Sequence, residues 1–191
     1  MPVDRAKAAA AIETFLRALG RDPAREPELV GTGARVAEAF ADDVCGGYTA
    51  DVGTLLRKNS IQAPAGKTEV VSLRDITVTT MCPHHLMPAT GFATVAFAPR
   101  GLVLGFGTLA DLVDAFAHRL TLQETIGDEV VAALMTHLEP VWAGCRLVLT
   151  HTCVTGRGGR RHGARAETVA LAGSPNGEDH ATAMAVLGVG R

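Results

Sequence analysis

The chain has 191 residues, a formal net charge of −2 at neutral pH and 47% hydrophobic residues. Acidic and basic residues are mixed along it, so we expect no basic surface for binding duplex DNA or RNA. No apolar run reaches the roughly 18 residues of a membrane span, and the amino terminus lacks the apolar core of a signal peptide. The length fits one domain with a hydrophobic core, and we expect a cytoplasmic protein.

Two helices are predicted at the amino-terminal end. The first covers residues 4–19, where an aspartate can cap the helix, alanines fill it and Gly20 offers a left-handed stop. The second covers residues 32–45, which carry one apolar stripe and are followed by a glycine pair. Residues 48–67 mix polar residues, glycine and proline without a clear period, which predicts a loop.

Four later segments are predicted to be strands. Branched side chains alternate with polar ones over residues 70–80, and residues 92–97 repeat this pattern, so the two segments form an antiparallel pair. Residues 145–155 and 165–171 have the same character. A glycine- and arginine-rich run at residues 156–163 separates them and predicts a turn.

The order of the elements predicts an α+β fold. Apolar residues recur at helical spacing over 109–116 and 122–138, so two helices should cover one face of the antiparallel sheet. We expect a single domain with a helical amino-terminal part at 1–47, a core at 68–172 and a loosely ordered tail at 173–191.

The cysteines and histidines suggest a metal site. The four cysteines are widely spaced, which does not resemble a disulfide framework. Cys82, His84 and His85 share a short segment flanked by prolines, which predicts a turn after the first strand. His151 and Cys153 are two residues apart on a predicted strand, which places them on one face about 7 Å apart. Two thiolates and one imidazole are a ligand set that catalytic zinc uses, and zinc activates water, so hydrolysis is the expected chemistry.

Other interpretations of these residues stay open at this point. Each cysteine could be a small buried hydrophobic residue and each histidine a hydrogen-bonded polar one. A structural zinc would take four protein ligands, and His151 could be the fourth. A zinc nucleoside deaminase would need an H-x-E motif followed by P-C-x-x-C, and neither motif occurs in the sequence.

Several motifs, in this order along the chain, resemble the GTP cyclohydrolase I family. They are TGARVAEAF at 32–40, LRDITVTTMCPHHLMP and GFATVAFAP at 73–99, AHRLTLQE at 117–124 and THTCVTGRGG at 150–159. Family members carry C-E-H-H, Q-E and H-x-C motifs, and every position is matched except the glutamate, which is Pro83 here. The resemblance covers about residues 30–170. It implies a zinc-dependent cyclohydrolase with a T-fold, assembled as a ring-shaped homo-oligomer with active sites at subunit interfaces.

The resemblance also assigns roles to particular residues. Cys82, His85 and Cys153 match the zinc ligands of the family. His84 and His151 match its proton-transfer histidines.

The substrate-binding residues follow in the same way. Glu124 matches the carboxylate that binds the guanine edge, and Gln123 belongs to the same pair. Arg157 and Arg35 match arginines that contact the phosphates. From the residues alone, Glu124 lies three positions after Thr121, which is also a capping-box pattern at a helix start.

One segment departs from the family pattern. Family members carry a G-L-S-K-x-x-R run whose serine, lysine and arginine serve the sugar and the triphosphate, and here those positions are Gly107, Thr108 and Asp111. The substitutions change the local charge by about three units, which is unfavourable for a triphosphate. We therefore expect GTP or a less phosphorylated relative as the substrate.

Two alternative functions remain open. The chain could be a noncatalytic family member that binds zinc and a nucleotide for regulation. It could also be a zinc hydrolase of another heterocycle. In each case we expect a small-molecule ligand rather than a nucleic acid or a membrane.

Overall fold

A computed structural model describes residues 3–63, 69–173 and 177–189. The chain divides into two compact units, residues 1–46 and residues 47–191.

The first unit contains two packed helices, α1 at Arg5–Ala18 and α2 at Thr32–Ala39. The Asp4 carboxylate caps α1 by accepting a hydrogen bond from the Lys7 backbone N–H at 3.0 Å. After α2 the chain continues through a wider turn at Phe40–Val44. Both predicted helices are thus confirmed, although the second is regular only as far as residue 39.

The second unit is built around a four-stranded antiparallel sheet. Its strand order is β2-β3-β5-β6. The strands are β2 at Val71–Met81, β3 at Pro88–Ala98, β5 at Trp142–His151 and β6 at Ala166–Gly173. These are the predicted strands, with one difference at the end of β5 that affects the candidate site.

Two helices cover one face of this sheet, as predicted. Helix α4 at Phe106–Ala117 packs on β2, and α5 at Gln123–Leu138 packs on β5 and β6. Their apolar faces form the main core with the inward side chains of the strands. At Gly127 the α5 backbone lies so close to the sheet that an added Cβ would be 3.2 Å from the Ala170 Cβ. The start of α5 lies against the end of β5, where Gln123 contacts His151.

The predicted loop at 48–67 is wrong over most of its described part. Residues Val52–Asn59 form helix α3, capped by the Asp51 carboxylate, and Leu56 is fully buried. Strand β1 at Ser60–Gln62 then pairs with β4 at Leu102–Leu104. The helix was missed because its apolar positions are few, and it is stabilised by packing against α4 and α5. Positions 64–67 of the predicted loop lie outside the described residues.

The tail is also more ordered than predicted. Residues Gly177–Leu187 form helix α7, which packs on the opposite face of the sheet from α4 and α5. Ala183 and Leu187 are buried there with Trp142. The Arg74 guanidinium donates a hydrogen bond to the Val186 carbonyl at 2.7 Å, which satisfies the carboxyl end of α7. Positions 174–176, 190 and 191 of the tail lie outside the described residues.

Candidate metal centre and active site

Two candidate ligands lie on the hairpin loop between β2 and β3. The Leu86 N–H donates to the Cys82 carbonyl at 2.9 Å, and the Cys82 N–H donates to the Met87 carbonyl at 3.0 Å. Leu86 closes this turn in the left-handed region, with φ of 50°. The tight loop leaves Cys82 buried and His85 exposed at the same end of the sheet.

The third candidate ligand follows β5. His151 is the last residue of that strand and pairs with Ala89, whereas Cys153 lies in a short helical turn, α6, at Thr152–Thr155. The prediction of a single strand over 145–155 is therefore wrong, and the two side chains are not on alternate positions of one strand. The strand ends because β6 supplies no partner beyond Leu149, and the Thr152 hydroxyl instead donates to the Pro88 carbonyl at 2.7 Å.

Cys82, His85 and Cys153 form a compact donor cluster. Their two Sγ atoms and one imidazole nitrogen all lie within 4.8 Å of one another. The Cys82 Sγ is 3.8 Å from the His85 Nδ1, close to the separation of about 3.6 Å that tetrahedral zinc imposes on a sulfur and a nitrogen ligand. The donor set and its spacing fit a zinc ion with three protein ligands.

The surroundings of Cys153 shift the pKa of its thiol. Burial raises the pKa of its thiol, the neighbouring Cys82 raises this pKa further, and the positive charge of Arg157 opposes both effects. A divalent cation between the two sulfurs would favour the thiolate form of both.

His151 is held by a buried glutamine and is not part of the donor cluster. Its Nε2 lies 2.8 Å from the Oε1 of Gln123, the first residue of α5, which is only 3% exposed. The Gln123 Nε2 lies 3.1 Å from the carbonyls of Leu147 and Ala166. Both ends of this side-chain amide therefore form hydrogen bonds within the protein. The resemblance implies a substrate contact for Gln123, and only its main chain is left to make that contact.

Glu124 lines a separate small cavity between α5 and β6. The cavity has a volume of about 200 Å³, and its walls are Glu124, Gly127, Asp128, Thr168, Val169 and Ala170. None of the three candidate metal ligands contributes to it. Helix α5 begins without a side-chain capping hydrogen bond, and the Thr121 hydroxyl donates to the Leu122 carbonyl, so the capping-box alternative for Glu124 is not formed. Asp128 was missed in the sequence, although its position four residues after Glu124 puts it on the same helix face.

The remaining predicted site residues are more exposed. His84 lies on the hairpin loop with its ring centroid 6.3 Å from that of His85. Arg157 lies in the turn that follows α6. Arg35 belongs to α2 in the first unit, where its guanidinium donates to the Val30 carbonyl and to the Thr32 hydroxyl, both at 3.0 Å.

The fold and the site together define an α+β protein with a candidate metal centre at one end of an antiparallel sheet. A family model described as GTP cyclohydrolase I matches residues 8–188. The chain belongs to the GTP cyclohydrolase I family and is an enzyme of the cyclohydrolase class.

Several proteins named GTP cyclohydrolase 1 are similar over most of their length. The protein of Synechococcus sp. strain JA-3-3Ab is 38% identical over 86% of this chain and 70% of its own. The one from Allorhizobium ampelinum is 36% identical over 88% and 83%, and the one from Thermoanaerobacter pseudethanolicus is 35% identical over 90% and 89%. Among solved structures, an archaeosine synthase QueF-like protein in the apo form matches 57% of this chain with a TM-score of 0.46 and 19% identity, a similarity too low to argue from.

Within residues 3–63, 69–173 and 177–189, every helix is too short or too polar to span a membrane.

Proposed function

We propose that this chain is a zinc-dependent cyclohydrolase that opens the imidazole ring of a guanine nucleotide at C8. The observation that carries the proposal is the cluster of Cys82, His85 and Cys153, with His151 only two residues before one of its members. The similar proteins named GTP cyclohydrolase 1 supply the guanine nucleotide as the substrate class.

The protein's contribution at the metal centre is to hold the three donors together. Cys82, His85 and Cys153 would bind the zinc, which when bound supplies a Lewis acid that activates water for attack on an electrophilic carbon. The backbone hydrogen bonds of the hairpin loop fix the first two donors. The hydrogen bond from Thr152 to Pro88 ties the turn that carries the third donor to the same hairpin.

His84 and His151 are the proposed proton-transfer groups. Imidazole exchanges protons near neutral pH, and opening the ring at C8 requires a proton for the departing nitrogen. His151 is held by Gln123, whereas His84 is exposed on the hairpin loop. One fixed histidine and one in contact with solvent suit the transfer of protons between water and the purine ring.

Glu124 is the proposed contact for the base. A carboxylate has two acceptor oxygens, which match the N1–H and amino donors on the edge of guanine. Asp128 adds a second carboxylate to the cavity that Glu124 lines. Two acidic side chains favour the donor edge of a base and disfavour phosphate, so the cavity suits the base end of the substrate.

Arg157 is the proposed phosphate contact in the second unit. It is exposed in a glycine-rich turn four residues after Cys153, and its positive charge lowers the pKa of the Cys153 thiol, which supports a contact on the metal side of the substrate. Arg35 stays a second proposed contact, taken from the resemblance. At the position of the family's arginine, Asp111 is exposed, and at the position of its serine, Gly107 has open space where a side chain would be. We therefore expect less dependence on the outer phosphates than the family pattern implies.

The test is a direct assay on four substrates. Zinc-loaded protein is incubated with GTP, GDP, GMP and guanosine, and loss of purine absorbance is followed together with release of formate. Turnover of at least one substrate with release of formate supports the proposal. Intact purine in all four mixtures, with zinc bound, would refute it.

We also propose a T-fold that assembles as a ring-shaped homo-oligomer with active sites at the subunit interfaces. Within the described residues, strands β2 and β6 are the outer strands of the sheet, eleven and eight residues long, and outer strands of this length favour pairing with another chain. Analytical ultracentrifugation of the native protein tests this, because a monomer at micromolar concentration would rule it out.

A further inference from the structure

The orientation of the Gln123 side-chain amide is fixed by its partners. Its Nε2 lies 3.1 Å from two backbone carbonyls, those of Leu147 and Ala166, and 3.1 Å from the Thr168 hydroxyl. Carbonyl oxygens only accept hydrogen bonds, so the group facing them must be the amide NH₂. A rotated amide would place its oxygen against two carbonyl oxygens in a buried site, which is strongly unfavourable.

This orientation determines which nitrogen of His151 carries a proton. The Gln123 Oε1 faces the His151 Nε2 at 2.8 Å, and an amide oxygen can only accept. The His151 Nε2 therefore donates in this hydrogen bond, and Nδ1 is the ring nitrogen that Gln123 does not contact. Leu147 belongs to β5 and Ala166 to β6. The backbones of these two strands therefore fix the orientation of the Gln123 amide, and the amide in turn fixes the hydrogen bond of the His151 ring.

We infer that Gln123 is a positioning residue that holds His151 in its Nε2–H form and in one ring orientation, rather than a side-chain contact for the substrate. The inference rests on the proposed function for the role of His151 in turnover. Three observations support it independently of that function. The side chain is 3% exposed, both ends of its amide are hydrogen-bonded, and the cavity lined by Glu124 does not include Gln123.

A double-mutant cycle on the zinc-loaded protein tests the inference through activity. Gln123→Met keeps the length of the side chain and removes both hydrogen-bonding ends, so kcat should fall on the order of 10-fold or more while KM and zinc content change less than about twofold. In a His151→Ala background, the same substitution should lower kcat by less than about twofold, because the group that it positions is already gone. Equal losses in both backgrounds, or a raised KM with unchanged kcat, would overturn the inference.

A matched variant controls for a general loss of packing. Val130 is fully buried on the same helix, seven residues further along. Val130→Ala should lower the melting temperature and leave kcat of the folded protein unchanged. If it lowers kcat as much as Gln123→Met does, helix packing rather than the hydrogen bond explains the loss, and the inference fails.

A spectroscopic measurement tests the same inference without an assay and without a variant at Gln123. Solid-state ¹⁵N spectra of histidine-labelled wild-type protein should show His151 protonated at Nε2, with its signal assigned by its disappearance in His151→Ala. A neutral ring protonated only at Nδ1 would overturn the inference. Should the protein turn over no guanine nucleotide, the proposed function fails, but the spectrum still decides which nitrogen of His151 is protonated.

Discussion

Cys153 supplies the one candidate ligand that does not come from the hairpin loop, so the metal centre depends on it. Cys153→Ala should bind less than about a tenth of the zinc of the wild type and lose activity, because two protein ligands hold zinc poorly. Cys153 lies in a partly exposed turn outside the sheet, so circular dichroism should show an unchanged fold. Elemental analysis of the purified protein gives the zinc content per chain.

The matched control for this substitution is Cys45→Ala. Cys45 is a free, partly buried cysteine in the first unit and lies outside the donor cluster. The Cys45→Ala variant should keep about one zinc per chain. Wild-type protein without zinc, even after supplementation, would contradict the assignment of the metal centre.

The two proposed proton-transfer histidines should separate catalysis from metal binding. His84→Ala and His151→Ala should each keep zinc and slow turnover on the order of 10² or more, the scale of a positioned acid or base group. His162→Ala is the control, because His162 lies exposed in the glycine-rich turn and has no proposed role. Near-normal kcat in both test variants would mean that neither histidine transfers a proton in the limiting step.

The ligands could be predicted from sequence, but the role of Gln123 could not. A C-x-x-H segment and an H-x-C segment limit the candidate metal ligands to a few side chains. This holds for any backbone conformation of the residues between the two segments. The role of Gln123 depends on Leu147, Ala166 and His151, which are 24, 43 and 28 residues away in the chain. Only the tertiary fold brings these groups together.

At the scale of elements, Gly47 packs directly against the carboxyl-terminal end of α4, where its N–H donates to the His118 carbonyl at 3.0 Å. A Cβ at this position would lie 2.4 Å from the Ala115 carbonyl oxygen and 2.8 Å from that of His118. Gly47→Ala should therefore lower the free energy of unfolding by about 1–3 kcal/mol, since the backbone of α4 must shift. Chemical denaturation monitored by circular dichroism measures this change.

The neighbouring glycine provides the control. A Cβ on Gly46 would meet no atom of the described residues within 4 Å, so Gly46→Ala should change the free energy of unfolding by less than about 0.5 kcal/mol. Equal effects of the two substitutions would show that the close contact at Gly47 does not limit stability.

The helices and strands that were predicted correctly are those in which the spacing of apolar residues alone determines the secondary structure. Helices α4 and α5 have apolar faces at clear helical spacing, and the strands have alternating faces. Helices α3 and α7 are short, and each contributes only two or fewer fully buried side chains, so tertiary contacts rather than periodicity stabilise them. The end of β5 was predicted too far along the chain. The Thr152 hydroxyl donates a hydrogen bond to the Pro88 carbonyl at the point where the strand ends, and the sequence around Thr152 does not indicate this long-range contact.

At the scale of the whole molecule, the charge of the residues on α4 should determine how strongly the enzyme prefers GTP over GMP. We expect kcat/KM for GTP to be no better than for GMP, because binding energy from the outer phosphates is missing. Asp111→Arg should raise kcat/KM for GTP relative to GMP, with Asp111→Asn intermediate, since Asp111 is exposed and can be replaced without repacking. Thr108 is 8% exposed, so a lysine there would disturb the core and is a poorer test.

Steady-state kinetics and mass spectrometry of the products decide this prediction. Asp43→Arg, an exposed change of equal charge in the first unit, controls for a general electrostatic effect and should leave the GTP to GMP ratio unchanged. A strong wild-type preference for GTP, together with a dihydropterin product, would show that the altered segment has no effect on function.

The position of the only tryptophan gives the protein a built-in optical probe. Trp142 is the first residue of β5, is 1% exposed and lies in the cluster with Ala183 and Leu187 of α7. His151 ends the same strand, about 30 Å away at 3.3 Å per residue. Indole emission will therefore shift to the red when α7 detaches from the sheet, yet it will be blind to metal or nucleotide at the far end of the strand.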